Sequence, residues 1–130
     1  MIEFHVEARS GVPTYLQIVQ QVRQSVRLGV LAPGDRLPTV KEVVAGLAIN
    51  PNTVLRAYRE LELEGFTEGR RGVGTFVADG VPALPAGDVK ELRTALQRWV
   101  ARARGAGLDE DDMGALFWTV VRPQPVVKVA

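Results

Sequence analysis

The chain has 130 residues, an apolar fraction of 46%, no cysteine, one histidine and a formal net charge of +1. That length allows one or two small domains with an ample core. Disulfides, thiolate metal sites and a histidine cluster are excluded. No apolar run approaches the ~20 residues of a membrane span and no secretion signal opens the chain, so a soluble intracellular protein is expected. Residues 1–78 hold nine Lys/Arg against eight Asp/Glu, and the remainder seven of each. Bulk charge therefore does not predict a nucleic-acid partner, and any positive footprint must come from arrangement.

Residues 3–8, E-F-H-V-E-A, alternate as a short strand does. Ser10-Gly11 is a turn, and the lone His5 reads as structural or exposed. Pro13 opens a helix to about Leu28, with Thr14 and Gln17 at capping-box spacing. Its apolar face is Tyr15, Ile18, Val19, Val22 and Val26. This helix reads as scaffold, with Arg23 and Arg27 on a solvated face. Gly29 ends it, and Pro33-Gly34-Asp35 turns the chain.

Thr39 caps the next helix, and Glu42 completes a capping box. Val40, Val43, Val44 and Leu47 fall at i, i+3, i+4 and i+7. Asn50-Pro51 then gives an N-cap followed by proline at the first helical position. Val54, Ala57, Tyr58 and Leu61 repeat the core spacing, while Asn52, Arg56 and Arg59 lie on a different face. Arg can fork onto guanine and Asn onto adenine, and both bond phosphates. A solvated face paired with Glu60, Glu62 and Glu64 is the plain alternative. Gly65 suits the position that ends this helix.

Residues 66–68 and 75–77 read as two short strands joined by Gly69-Arg70-Arg71-Gly72-Val73-Gly74. Directly after two helices and a tight turn, the arginines of such a hairpin can reach a groove or grip phosphates. The order is helix, turn, helix, wing.

Residues 79–87 are rich in proline and glycine and read as a linker between a domain over 1–78 and a helical region over 88–130. Residues 88–104 read as a helix with an Asp88–Glu91 capping box. Val89, Leu92, Leu96, Trp99 and Ala103 form its 3-4-3-4 seam. Gly105 and Gly107 break it. Asp109 starts another helix, whose acidic first turn suits a positive helix end. Met113, Leu116, Phe117 and Val120 form its stripe, with Trp118 beside it. Pro123 and Pro125 end it before a short apolar tail over 126–130. Two helices of this size bury little alone, so their stripes need a partner surface. A homodimer interface through Leu92, Leu96, Trp99, Leu116 and Phe117 is expected. Folding back onto the first domain is the alternative. The fold class is mainly α with a small β wing: a winged helix-turn-helix followed by a short helical dimerisation region.

Three pieces, P-G-D-R-L-P at 33–38, the ending L-E-L-E-G at 61–65 and R-R-G-V-G-T-F-V at 70–77, resemble the winged-helix domain of the GntR family of bacterial transcription regulators. I-N-P-N-T-V at 49–54 is similar to its YtrA-type subgroup, which has short C-terminal regions. The resemblance covers residues 12–78 closely. It implies DNA contacts at Thr39, Lys41, Asn50, Asn52, Thr53, Arg56, Arg70, Arg71 and Gly72, to which the helix face adds Arg59. The chain departs from the family pattern in four places. Lys41 replaces a usual Arg, Pro51 and Leu55 stand where polar residues are common, and Ala48 replaces a turn glycine. These departures weaken transfer of any particular operator sequence.

The expected function is a cytoplasmic, nucleoid-associated, homodimeric repressor that binds an inverted repeat in double-stranded DNA. The subgroup resemblance adds transporter operons as targets. The alternative is a winged-helix protein-interaction module without specific DNA binding. No nucleophile–base set, metal cluster or phosphate loop is present, so neither an enzyme nor a cofactor is expected. About fifty residues follow the wing, too few to enclose a ligand pocket of ~300–1,000 Å³ in one subunit. A small-molecule effector, left unidentified, would have to bind between subunits.

Overall fold

Three helices open the structure, a computed structural model that describes residues 2–123: α1 (Thr14–Arg27), α2 (Val40–Leu47) and α3 (Pro51–Leu63). An antiparallel hairpin follows, β1 (Thr67–Arg70) and β2 (Gly74–Val77), and then α4 (Ala86–Gly105) and α5 (Glu110–Val121). The chain divides into two compact units between Val89 and Lys90. Among the described residues, no helix is long and apolar enough to cross a membrane.

In the first unit α1 and α2 both pack on α3, and α3 packs on β1. The buried apolar residues of the helices all lie on the stripes the helical spacing marks: Ile18, Val19, Val22 and Val26 from α1, Val43 from α2, and Val54, Ala57, Tyr58 and Leu61 from α3, while Tyr15, Val40, Val44 and Leu47 of the same stripes are only half-buried against them. Phe4, Leu31, Leu37 and Val77 complete the buried set. Each Val, Leu, Ile or Phe of this set, fully buried, contributes about 1.5–3 kcal/mol. The Tyr58 hydroxyl donates to the Pro38 carbonyl and ties α3 to the entry of α2. Burial pushes the Tyr58 phenol above its ordinary range, with the Glu42 charge adding to the effect, so the hydroxyl remains a donor.

Residues 3–8 do not form the expected strand. The segment is extended, but its partners are two glutamines of α1. His5 N–H donates to Gln21 Oε1 at 3.0 Å, and Gln21 Nε2 donates to His5 O at 2.6 Å. Glu7 N–H donates to Gln17 Oε1, and Gln17 Nε2 returns to Glu7 O, both at 2.9 Å. Four helical residues rise ~6 Å and two extended residues ~6.6 Å, so the spacings match. The arrangement seats Phe4 in the core. It also removes Gln17 from the expected capping box: Pro13 is the N-cap of α1, and no side chain caps it.

Two other capping boxes are corrected. Thr39 Oγ1 accepts from Glu42 N–H at 3.1 Å, but the return bond from Glu42 is not made among the described residues. Helix α4 begins at Ala86, two residues before the expected start, so Asp88 lies within the first turn instead of capping it. Its charge still faces the positive helix end. Helix α5 has a full box between Asp109 and Asp112.

The hairpin also differs in extent. Phe66 lies outside β1, while Gly69, Arg70 and Gly74 are paired within the strands, which leaves residues 71–73 as the turn. Phe66 instead closes α3: Phe66 N–H donates to Leu61 O, and Gly65, at φ 82°, donates to Glu62 O. That pair of bonds is the Schellman ending. Residues 34–37 run along the other edge of β2, with Leu37 N–H donating to Thr75 O at 2.9 Å and Val77 N–H to Asp35 O at 2.8 Å. Within the stretch expected as a linker, Leu84 N–H donates to Arg27 O at 2.9 Å.

In the second unit only Ala103 and Met113 are buried among the described residues. Leu92, Leu96, Leu116, Phe117, Trp118, Val120 and Val121 are exposed, Leu92 at 69% and Val120 at 73%. The apolar tail expected at 126–130, and Pro125, lie outside the described residues.

Candidate nucleic-acid interface

Helix α3 starts at Asn50, whose Oδ1 accepts from Asn52 N–H at 2.8 Å. Pro51 follows at the first helical position, and no acidic residue occupies the first turn. The positive end of the helix is therefore unopposed by local charge. At 3.6 residues per turn, Asn52, Arg56 and Arg59 fall within about 60° of one another and roughly opposite the buried Val54, Ala57, Tyr58 and Leu61. All three are exposed, as are Asn50 and Lys41, while Thr53 and Thr39 are half-buried. The cap bonds above engage one oxygen each of Thr39 and Asn50.

Among the described residues, no carboxylate lies within ion-pair distance of Lys41, Arg56 or Arg59. Arg56 contacts a ring instead: its guanidinium carbon is 3.8 Å from the Tyr15 ring centroid. Two acids at the C-terminal end of α3, Glu62 and the C-cap Glu64, are engaged elsewhere. Arg23 donates twice to the Glu64 carboxylate. That hydrogen bond holds the Arg23 guanidinium above its ordinary range, against a smaller opposing effect of partial burial. Glu62 Oε1 accepts from Gly69 N–H at 3.2 Å and fixes the wing to the end of α3. The even charge count is thus resolved by placement.

At the wing, Arg71 and Gly72 are exposed in the turn. Arg70 is held along the hairpin, donating to Glu68 Oε1 at 3.0 Å with its guanidinium 4.3 Å from the Phe76 ring centroid. One cation here escaped the sequence reading. Arg36 is exposed, and its backbone pairs antiparallel with Phe76 of β2. A Cβ at Gly74 would come within 3.3 Å of Arg36 Nε, so this side chain lies close beside β2 there, and the φ of 142° at 74 favours glycine. An open groove of about 630 Å³ brings Arg36, Thr39, Arg70, Arg71, Gly72 and Thr75 together. Lys41 and the α3 residues do not line it. The only signal for Arg36 was a basic residue beside a core leucine in an extended segment.

The expected interface residues belong to the second unit. Leu92, Leu96, Leu116 and Phe117 are exposed and Trp99 is half-buried.

The profile described as "Bacterial regulatory proteins, gntR family" matches residues 14–77. The chain is 37% identical over 105 residues to the HTH-type transcriptional repressor YtrA of Bacillus subtilis, covering 80% of this chain and 81% of that protein. Among solved structures it is similar to YtrA from Sulfolobus acidocaldarius, a GntR-family transcription factor, at TM-score 0.56 and 31% identity over 75% of this chain and 97% of that one. It is also similar to the N-terminal domain of AraR in complex with mutant ORR3, at TM-score 0.50 and 26% identity over 54% of this chain and 100% of that one.

Proposed function

Since the chain belongs to the GntR family of bacterial regulatory proteins and is a DNA-binding transcription regulator, we propose that it acts as a homodimeric repressor on an inverted-repeat operator. Helix α3 enters the major groove. Asn52 and Arg56 face base edges, and Arg59, Lys41 and the α3 N-terminus face phosphates. Arg36, Arg70 and Arg71 lie along the flanking backbone, with the Arg71 turn nearest the adjacent minor groove. A second copy, joined through the exposed residues of α4 and α5, repeats these contacts on the other half-site.

The observation that carries this reading is the face of α3. Its Asn and Arg side chains point away from the core, and no carboxylate among the described residues pairs with them. Two relatives support it: one is named a repressor, and the other was solved in complex with mutant ORR3. The apolar exposure of the second unit supports the dimer.

Selecting bound duplexes from a random pool tests the proposal. The expected product is an inverted repeat with half-sites about one helical turn apart. In a titration on that product, Arg56→Ala weakens binding by ~1–3 kcal/mol. A single asymmetric half-site bound by one copy would refute the dimer. No enrichment at all would refute specific binding and favour the protein-interaction alternative.

A further inference from the structure

The contact between Arg56 and Tyr15 joins the candidate recognition helix to a helix otherwise read as scaffold. We propose that Tyr15 is a positioning residue: its ring holds the Arg56 guanidinium where a base edge will be. The inference rests on the reading that α3 faces the major groove.

Tyr15 lies in the first turn of α1, half-buried against the core, with Ile18 and Val19 fully buried on the turns beside it. Its ring is therefore fixed by the packing of α1 on α3. Arg56 is exposed and, among the described residues, has no hydrogen bond or ion pair through its side chain. The ring is the contact that orders it. A guanidinium is attracted to an aromatic face without giving up its N–H donors, whereas a carboxylate would take two donors and cancel the charge.

Other arginines of this unit show the contrast. Arg23 is engaged by Glu64 and Arg70 by Glu68, so part of their donor capacity is already used. Arg59 has no such partner among the described residues and must be ordered when DNA arrives. Arg56 alone on the exposed α3 face combines order with a full set of donors. Ordering a long side chain on binding lowers affinity by about 3- to 10-fold, and Tyr15 removes that loss before the encounter.

The test uses the full chain with Tyr15→Phe, Tyr15→Leu, Arg56→Ala and the Tyr15→Leu/Arg56→Ala double variant. Each is titrated against the selected operator and a random duplex, with thermal melts confirming the fold. Expected for Tyr15→Leu is a loss of about 3- to 10-fold per half-site on the operator and little change on random duplex. Tyr15→Phe, which keeps the ring, retains wild-type affinity. In the Arg56→Ala background Tyr15→Leu costs nothing further. In the free protein, the ring-current shift of the Arg56 side-chain protons persists in Tyr15→Phe and disappears in Tyr15→Leu, a readout that needs no DNA.

Three results would overturn the inference: equal losses on operator and random duplex, a loss that survives in the Arg56→Ala background, or Tyr15→Phe behaving like Tyr15→Leu. If Arg56→Ala weakens binding and Tyr15→Leu does not, positioning alone has failed. If Arg56→Ala itself leaves operator affinity unchanged, the reading of the α3 face fails with it.

Discussion

Replacing Arg71 by Gln probes the charge arrangement of the wing. Arg71 is exposed in the turn, with no carboxylate in ion-pair reach among the described residues. A side-chain cation that displaces one condensed counterion contributes about 0.9 to the salt slope of binding, so losing it from both subunits of a dimer lowers the slope by ~1.8. Across a fourfold change, from about 50 to 200 mM salt, the affinity deficit of Arg71→Gln should then shrink by roughly tenfold. Arg70→Gln is the internal control. Glu68 already sits 3.0 Å from Arg70 and neutralises part of its charge, so the slope change at 70 should be smaller than at 71. Anisotropy titrations of a labelled random duplex at several salt concentrations read both slopes without knowledge of the operator. A line for Arg71→Gln parallel to wild type would mean that the residue makes no phosphate contact. A larger change at Arg70 than at Arg71 would refute the argument from the Glu68 pair.

The remaining predictions concern the scaffold and the second unit. Ala48 ends α2 at φ 54° and ψ 40°, a left-handed conformation that strains a residue with a Cβ. Ala48→Gly should therefore stabilise by ~0.5–1 kcal/mol after the entropy of the more flexible unfolded chain is counted, and a lower thermal midpoint would contradict this. Thr67 is buried, and its hydroxyl finds no partner among the described residues, so Thr67→Val should raise stability in urea by ~1 kcal/mol. Tyr58→Phe leaves the buried Pro38 carbonyl without its donor and should cost ~1–3 kcal/mol in the same assay. Leu92→Glu together with Leu96→Glu places charge on the exposed seam of α4, and this double variant should sediment as a monomer with the melting of the first unit unchanged. Persistence of a dimer would remove α4 from the interface.

Much of the fold was legible because its signals are local. The proline and asparagine that start α3, the glycine that ends it and the i, i+3, i+4, i+7 spacing of its core side chains all act within a turn or two of helix, and so does Asp109 at the start of α5, although its reciprocal bonds with Asp112 were not read from the sequence. Composition also excluded disulfides and thiolate metal sites outright. What the sequence could not yield are contacts between residues far apart along the chain. Gln17 and Gln21 take the place of a strand partner for residues 5 and 7 because helical and extended rises happen to coincide. Arg36 comes close to Gly74 only because residues 34–37 lie beside β2. Tyr15 reaches Arg56 through the packing of α1 on α3. Net charge was blind in the same way: a sum near zero is indifferent to position, and only the folded chain engages Glu62 and Glu64 elsewhere and leaves Arg56, Arg59 and Arg71 facing outward.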